Sequence, residues 1–311
     1  MRFKWVLLTL AFVHLYTLAN ASAPTSPPLF EGAWGQCCSG DGNFNDPQDI
    51  AIASDGTVYV VDFYGIQRFA ADGTFLSQWA YPTGSALDID SAGNIYVASW
   101  TKISKLSNAG MELMHWGSEG EGYGEFSGIF GLAIGPNGTI YAADCPNHRI
   151  EQFAPDSTFI RAWGTEGPVE SQLVYPTGIA VDATGNVYVG DQGLGSIQKY
   201  SDTGEFLASI PLPGQNVRMI HDVTVGPQGE IYMVNMALND VDVMDATGTP
   251  LFYWGGSGSG NGQFKFPIAI GISTEGSYYV VDYGNDRVQR FGYPVGVSKI
   301  SWGMLKTRFT N

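Results

Sequence analysis

Six glycines, at positions 56, 93, 138, 185, 229 and 276, each follow an apolar residue by six positions. Those apolar residues are Ile50, Leu87, Leu132, Ile179, Val223 and Ile270. After each glycine comes a short apolar run with Tyr at its second place, as in Val58-Tyr59-Val60-Val61-Asp62 and Ile140-Tyr141-Ala142-Ala143-Asp144. The spacings between the glycines are 37, 45, 47, 44 and 47. Chance does not hold one offset six times, so the chain is built from six copies of one unit.

Each copy continues alike. A third strand is expected at Gly65 to Phe69 or Arg149 to Phe153, then a second turn such as Ala71-Asp72-Gly73 or Asp202-Thr203-Gly204. A fourth strand ends in Trp, as in Phe75 to Trp79, Phe159 to Trp163 and Leu251 to Trp254. Asp-Gly and Asn-Gly pairs supply the positive φ that tight turns between strands demand. Four strands at this period make a propeller blade. The sixth copy supplies only three strands and stops near Pro294, while Phe30-Glu31-Gly32-Ala33-Trp34-Gly35 matches Phe159-Ile160-Arg161-Ala162-Trp163-Gly164 position by position. The N-terminal strand is therefore expected to complete the last blade, a 3+1 closure that leaves no open edge. The reading is an all-β, six-bladed β-propeller over residues 22–295 with no second domain. Low charge (14 %) together with 41 glycines and 13 % aromatics agrees with many short strands and turns.

The copies resemble NHL repeats. Trp116-Gly117…Gly124-Glu125-Phe126…Asp144…Asn147-His148-Arg149-Ile150 carries the pattern, as does Gly260-Asn261-Gly262-Gln263-Phe264…Pro267…Asp282…Asn285-Asp286-Arg287-Val288. The resemblance implies fold strongly and function weakly, because propellers host many functions. It also implies that Asp144 with Arg149, and Asp282 with Arg287, form ion pairs that fix the loop between second and third strands. The other reading of these residues is a ligand clamp.

Outside the repeat, Arg2 and Lys4, the apolar Val6 to Val13 and Ala19-Asn20-Ala21 read as a secretory signal peptide over residues 1–21. Its apolar core is too short for a membrane span. Its removal takes two of the 15 basic and none of the 30 acidic residues, leaving a formal charge of −17. Such a chain repels phosphate backbones and anionic lipid, so no nucleic-acid partner is expected. Cys37, Cys38 and Cys145 are an odd number for a secreted chain, and their pairing stays open. Asn137-Gly138-Thr139 is a glycosylation sequon in a eukaryotic setting. The segment 296–311 is a short basic tail, read as a sorting or docking element or a frayed end.

The rim of the central channel follows by counting. The residue two before each apolar triplet is Gln48, Ser85, Phe130, Thr177, His221 or Ile268. Secreted peptidyl-hydroxyglycine amidating lyases, which the pattern resembles, are implied to gather several histidines here around zinc, and this chain offers one. A zinc needs about three such ligands. A calcium site of the gluconolactonase kind would draw on Gln48, Asp49 and Asp222; Asp88, Asp90 and Asp182 read as blade-edge residues. His221-Asp222, near Arg218, is the pair suited to acid–base work or to a polar ligand, if it is more than a wet channel lining. Tyr64, Tyr123, Phe130, Tyr175 and Tyr283 fall in loops of the same face and serve either recognition or packing.

The expected function is that of a secreted, monomeric, non-catalytic recognition module for a protein, peptide or glycan. Its ligand-binding residues are read as Gln48, Asp49, Phe130, Thr177, Arg218, His221 and Asp222, with no cofactor. The alternative is a zinc- or calcium-dependent lyase or lactone hydrolase at the channel mouth.

Overall fold

The computed structural model describes residues 23–294, apart from 39, 82–83, 170 and 213–218. The segment read as a signal peptide, the basic tail and Arg218 lie outside the described residues. Six four-stranded antiparallel sheets succeed one another along the chain, and no α-helix occurs among the described residues. Blade 1 is β2 (Asp49–Ile52), β3 (Val58–Asp62), β4 (Gly65–Phe69) and β5 (Phe75–Ala80). Blade 2 runs β6 (Ala86–Ile89) to β9 (Glu112–Trp116), and blade 3 runs β10 (Ile129–Ile134), β11 (Ile140–Asp144), β12 (Arg149–Phe153) and β13 (Phe159–Trp163). Blade 4 spans β14 (Pro176–Val181) to β17 (Phe206–Pro211), and blade 5 spans β18 (Ile220–Val225) to β21 (Pro250–Gly255). Blade 6 takes β22 (Pro267–Ile272), β23 (Tyr278–Asp282) and β24 (Arg287–Gly292) from the C-terminal side, and its outer strand is β1 (Leu29–Trp34). Trp34 pairs with Val288 as Trp163 pairs with Ile150, so the first strand sits in the register its sequence match implied.

Burial follows position in the blade. The second strands are buried at every residue in all six blades, whereas outer strands such as β1 and β5 alternate between more and less exposed residues. An inner sheet covered on both faces reads as a continuous apolar run; an edge wet on one face alternates. The core is accordingly divided among the interfaces between blades. Val61, Leu87, Ile95 and Val97 pack between blades 1 and 2, and Tyr141, Ala143, Ile179 and Val189 between blades 3 and 4. The Trp that ends an outer strand fills the same gaps. Trp34 lies 6.0 Å from Tyr279 of its own blade and 5.7 Å from Phe69 of the next.

The Gly-rich connections are not alike. In blades 1, 3, 4 and 6 they close on an isolated bridge, Cys37–Phe44, Glu119–Phe126, Glu166–Leu173 and Ser257–Phe264, which drives a large apolar side chain under the loop. Phe44, Phe126, Leu173 and Phe264 are fully buried. All three cysteines are free thiols; Cys37 and Cys38 are exposed and Cys145 is buried.

Candidate functional site

The inner strands β2, β6, β10, β14, β18 and β22 surround the axis. Side chains two apart on a strand share a face, so the positions seven and five before the repeat glycine both face the channel. Seven before the glycine stand Asp49, Ala86, Gly131, Gly178, Asp222 and Ala269; five before it stand Ala51, Asp88, Ala133, Ala180, Thr224 and Gly271. All are small or are Asp, because little room is left on the axis.

Facing the channel, each junction between neighbouring inner strands is closed by a carboxylate or a glycine. Asp49 accepts from the Leu87 amide at 2.6 Å, Asp88 from the Ile134 amide at 2.6 Å and Asp222 from the Ile270 amide at 2.9 Å. The same carboxylates accept from the next amide of their own strand, each at 2.7 Å. At the other three junctions a glycine allows close approach. A Cβ on Gly178 would lie 2.5 Å from the Asp222 Cα, one on Gly131 would overlap the Thr177 carbonyl, and one on Gly271 would lie 2.9 Å from the Ile52 side chain. Three carboxylate bridges and three glycine contacts thus close the ring. Asp88 is one of the bridges and faces the channel, which corrects its reading as a blade-edge residue. The signal was present: its position differs from that of Asp49 and Asp222 by two, which keeps the same face. Asp90 and Asp182 do lie at turns, each 3.2 Å from the hydroxyl of Tyr96 or Tyr188.

Burial raises all three channel acids, and charge repulsion adds to it, from Asp222 and Asp88 at Asp49, from Asp88 at Asp222 and from Asp90 at Asp88. Asp88 is pushed up to about 6 and Asp222 to about 7; Asp49 stands well above the usual carboxylate range, with Asp222 as its strongest charged neighbour. Burial also lowers His221, keeping it neutral at neutral pH. Its Nδ1 lies 2.9 Å from the Ile268 carbonyl. A carbonyl only accepts, so Nδ1 carries the proton and Nε2 keeps the lone pair.

The mouth is formed by the residues eight before the glycine. Three of them bind the next blade: Ser85 donates to the Ile129 carbonyl (2.7 Å), Thr177 to the Ile220 carbonyl (2.9 Å) and His221 to the Ile268 carbonyl. Gln48 donates to the Asp46 carbonyl at 2.9 Å. Gln48, Asp49, Ser85, Phe130, His221 and Asp222 line a cavity of about 20 Å³. That is room for a water molecule. Thr177 is outside this lining; it is buried, with its hydroxyl spent on the blade 4–5 junction. Phe130 is flanked by two exposed rings, Trp100 at 5.3 Å and Tyr175 at 5.8 Å, which makes an aromatic arc beside the mouth over blades 2, 3 and 4. Trp100 escaped the sequence reading, although it stands in the loop between second and third strands where Tyr64 was noted.

No group of three or more His, Cys, Asp or Glu side chains among the described residues is arranged to hold a metal. Both oxygens of Asp49, Asp88 and Asp222 are engaged by backbone amides, so the carboxylates fit a strand-bridging role and not a calcium cage.

The family model for the NHL repeat matches residues 126–153. This segment is the loop and the first three strands of blade 3, one of six like blades. The chain is a six-bladed β-propeller that carries an NHL repeat in its third blade. Among curated proteins none matches it in sequence. Of solved structures, a streptogramin B lyase is 17 % identical with a TM-score of 0.61, over 84 % of this chain and 97 % of that one. Virginiamycin B lyase from Staphylococcus aureus is 15 % identical, TM-score 0.58, over 80 % and 95 %. A Bacteroides thetaiotaomicron protein of unknown function is 16 % identical, TM-score 0.64, over 84 % and 76 %. At these identities the likeness is one of fold.

The propeller's Asp and Arg of blades 3 and 6 hold the Gly-rich loops. The Arg287 Nε donates to Asp282 at 2.7 Å, and its Nη2 donates to the Gly260 and Gln263 carbonyls at 2.9 Å. Arg149 Nε stands 3.4 Å from Asp144, and its other nitrogens reach the carbonyls of Glu121, Gly122 and Glu125. Asp144 in turn accepts from the amides of Ser127 and Gly128. The carboxylate takes the loop's amides and the guanidinium its carbonyls. Blade 5 has Asn235, Asp240 and Asp242 in these places; Asp240 is buried and pushed up to about 7 by desolvation and by Asp242.

Proposed function

We propose that this propeller is a secreted, monomeric, non-catalytic recognition module. It binds a protein, peptide or glycan across the face that carries the interblade loops. The observation that carries this reading is the arc of Trp100, Phe130 and Tyr175 beside the channel mouth. Aromatic side chains present large, stiff, amphipathic area at low entropic cost, which suits sugar faces and apolar peptide side chains. Peptide and glycan arrays probed with wild-type protein and with a Trp100→Ala/Phe130→Ala variant test it. Binding should fall at least about tenfold in the variant, the loss expected from even one of its two anchor contacts. Equal binding by a folded variant would remove the arc from the site.

A second reading rests on His221 and Asp222. A neutral imidazole with a free Nε2, lining the same small cavity as a carboxyl near pKa 7, is equipped for proton transfer. One structure of similar fold is a catalytically inactive histidine-to-alanine variant of virginiamycin B lyase with quinupristin. Incubation with quinupristin, followed by mass spectrometry, separates the two. Turnover abolished in His221→Ala would replace the recognition reading by an enzymatic one.

A further inference from the structure

The clearest unexplained feature lies on the opposite face, at the turns, between blades 3 and 4. In every blade the Tyr of the second strand pairs with a fixed residue of the third. In four blades that residue is a cation standing over the ring: Arg68 over Tyr59 (5.6 Å), Lys105 over Tyr96 (4.9 Å), Lys199 over Tyr188 (4.8 Å) and Arg290 over Tyr279 (5.9 Å). In blade 5 it is Val243, and Tyr232 instead bonds the Tyr278 hydroxyl across the interface at 3.0 Å. In blade 3 it is Gln152.

The exchange in blade 3 is double. Blades 2 and 4 place Asp90 and Asp182 at the turn beside the Tyr hydroxyl, and blade 3 has Gly135 there. Neither cation nor acid stands at these two positions, although Arg161 and Asp202 lie near enough to act on the Tyr141 hydroxyl, and a cavity of about 190 Å³ opens between Tyr141, Gln152, Thr184 and Asp202. Gln152 is 5 % exposed. Its Nε2 donates to the Tyr141 hydroxyl (3.1 Å) and the Asp202 carbonyl (3.0 Å), while its Oε1 has no partner. The Asp202 carbonyl fixes that amide orientation, so the unsatisfied group is an acceptor. Arg161, which pairs with Gln152 on β13, donates to the Thr203 carbonyl at 2.8 Å.

We infer that the blade 3–4 cavity binds one alkylammonium or alkylguanidinium group, in the place that the chain's own Lys or Arg occupies in four other blades. The ring of Tyr141 receives the charge and the Asp202 carboxylate neutralises it. The site is independent of the channel mouth and gives the propeller a second attachment point for cationic partners.

The test is an NMR titration with butylammonium and methylguanidinium, with butanol as the neutral control. Saturable shifts of Tyr141, Thr184 and Asn137 amides are expected with the cations and not with butanol. Gln152→Lys refills the cavity from within, so it should abolish the shifts and raise Tm. Asp202→Asn keeps the cavity and should weaken binding at least about tenfold, or 1.4 kcal/mol. No saturable shift in the wild type, or full binding in both variants, would overturn the proposal.

Discussion

The Asp222 carboxylate joins blade 5 to blade 6 by accepting the Ile270 amide at 2.9 Å, yet burial and Asp88 hold it close to a pKa of 7. A carboxyl raised above its unfolded value costs nothing while both states are protonated. As pH rises past the ordinary carboxylate range near 4, the unfolded chain ionises freely and the folded one does so at a penalty. Asp88 (about 6), Glu151 (about 7) and Asp240 (about 7) act in the same sense. Tm should therefore be higher at pH 5.5 than at pH 7.5. Asp222→Ala, which strands the Ile270 amide but removes the repulsion, should cost more at the lower pH. A flat Tm between these values would refute this account.

Close approach between inner strands makes Gly178→Ala severe. The new Cβ meets the Asp222 Cα and the Val223 nitrogen, backbone atoms that cannot swing aside. A loss of ~3 kcal/mol or more is expected, as for overpacking without relief. Gly93→Ala, with φ +79 and nothing within 4 Å, should lose only the left-handed strain, ~1 kcal/mol. Chemical denaturation of both variants measures the difference.

The ion pair of blade 6 holds a loop at both polarities. Asp282→Ala leaves Arg287 uncompensated and frees the Lys265 amide, which Asp282 accepts at 2.7 Å. The cost should be ~3–5 kcal/mol, the range for breaking a buried pair. Arg287→Met, which keeps the stem and leaves Asp282 with its amide donors, should cost less. Urea midpoints of the two variants decide the order.

Ser157 sits at φ +68 in a turn where other blades place glycine, such as Gly73 and Gly204. Ser157→Gly should raise stability by ~1 kcal/mol through relief of left-handed strain. An unchanged or lower Tm would show that the Ser side chain offsets that strain.

What the sequence alone determined is what repeats. The glycine offset, the Trp-ended strand and its stray copy at Phe30 to Trp34 are local signals, so blade number and ring closure follow without coordinates. The rim positions also follow by counting, which places His221, Phe130 and Gln48 together. What counting cannot supply is which atoms meet across a junction, because that distance is set only when six blades close. Tertiary structure therefore decided that Asp88 bridges to blade 3 and that Thr177 is spent on Ile220. It also brought Trp100 against Phe130, and it opened a cavity where Gln152 replaces a cation. Strand pairing within a blade is written in its own residues; contact between blades belongs to the ring.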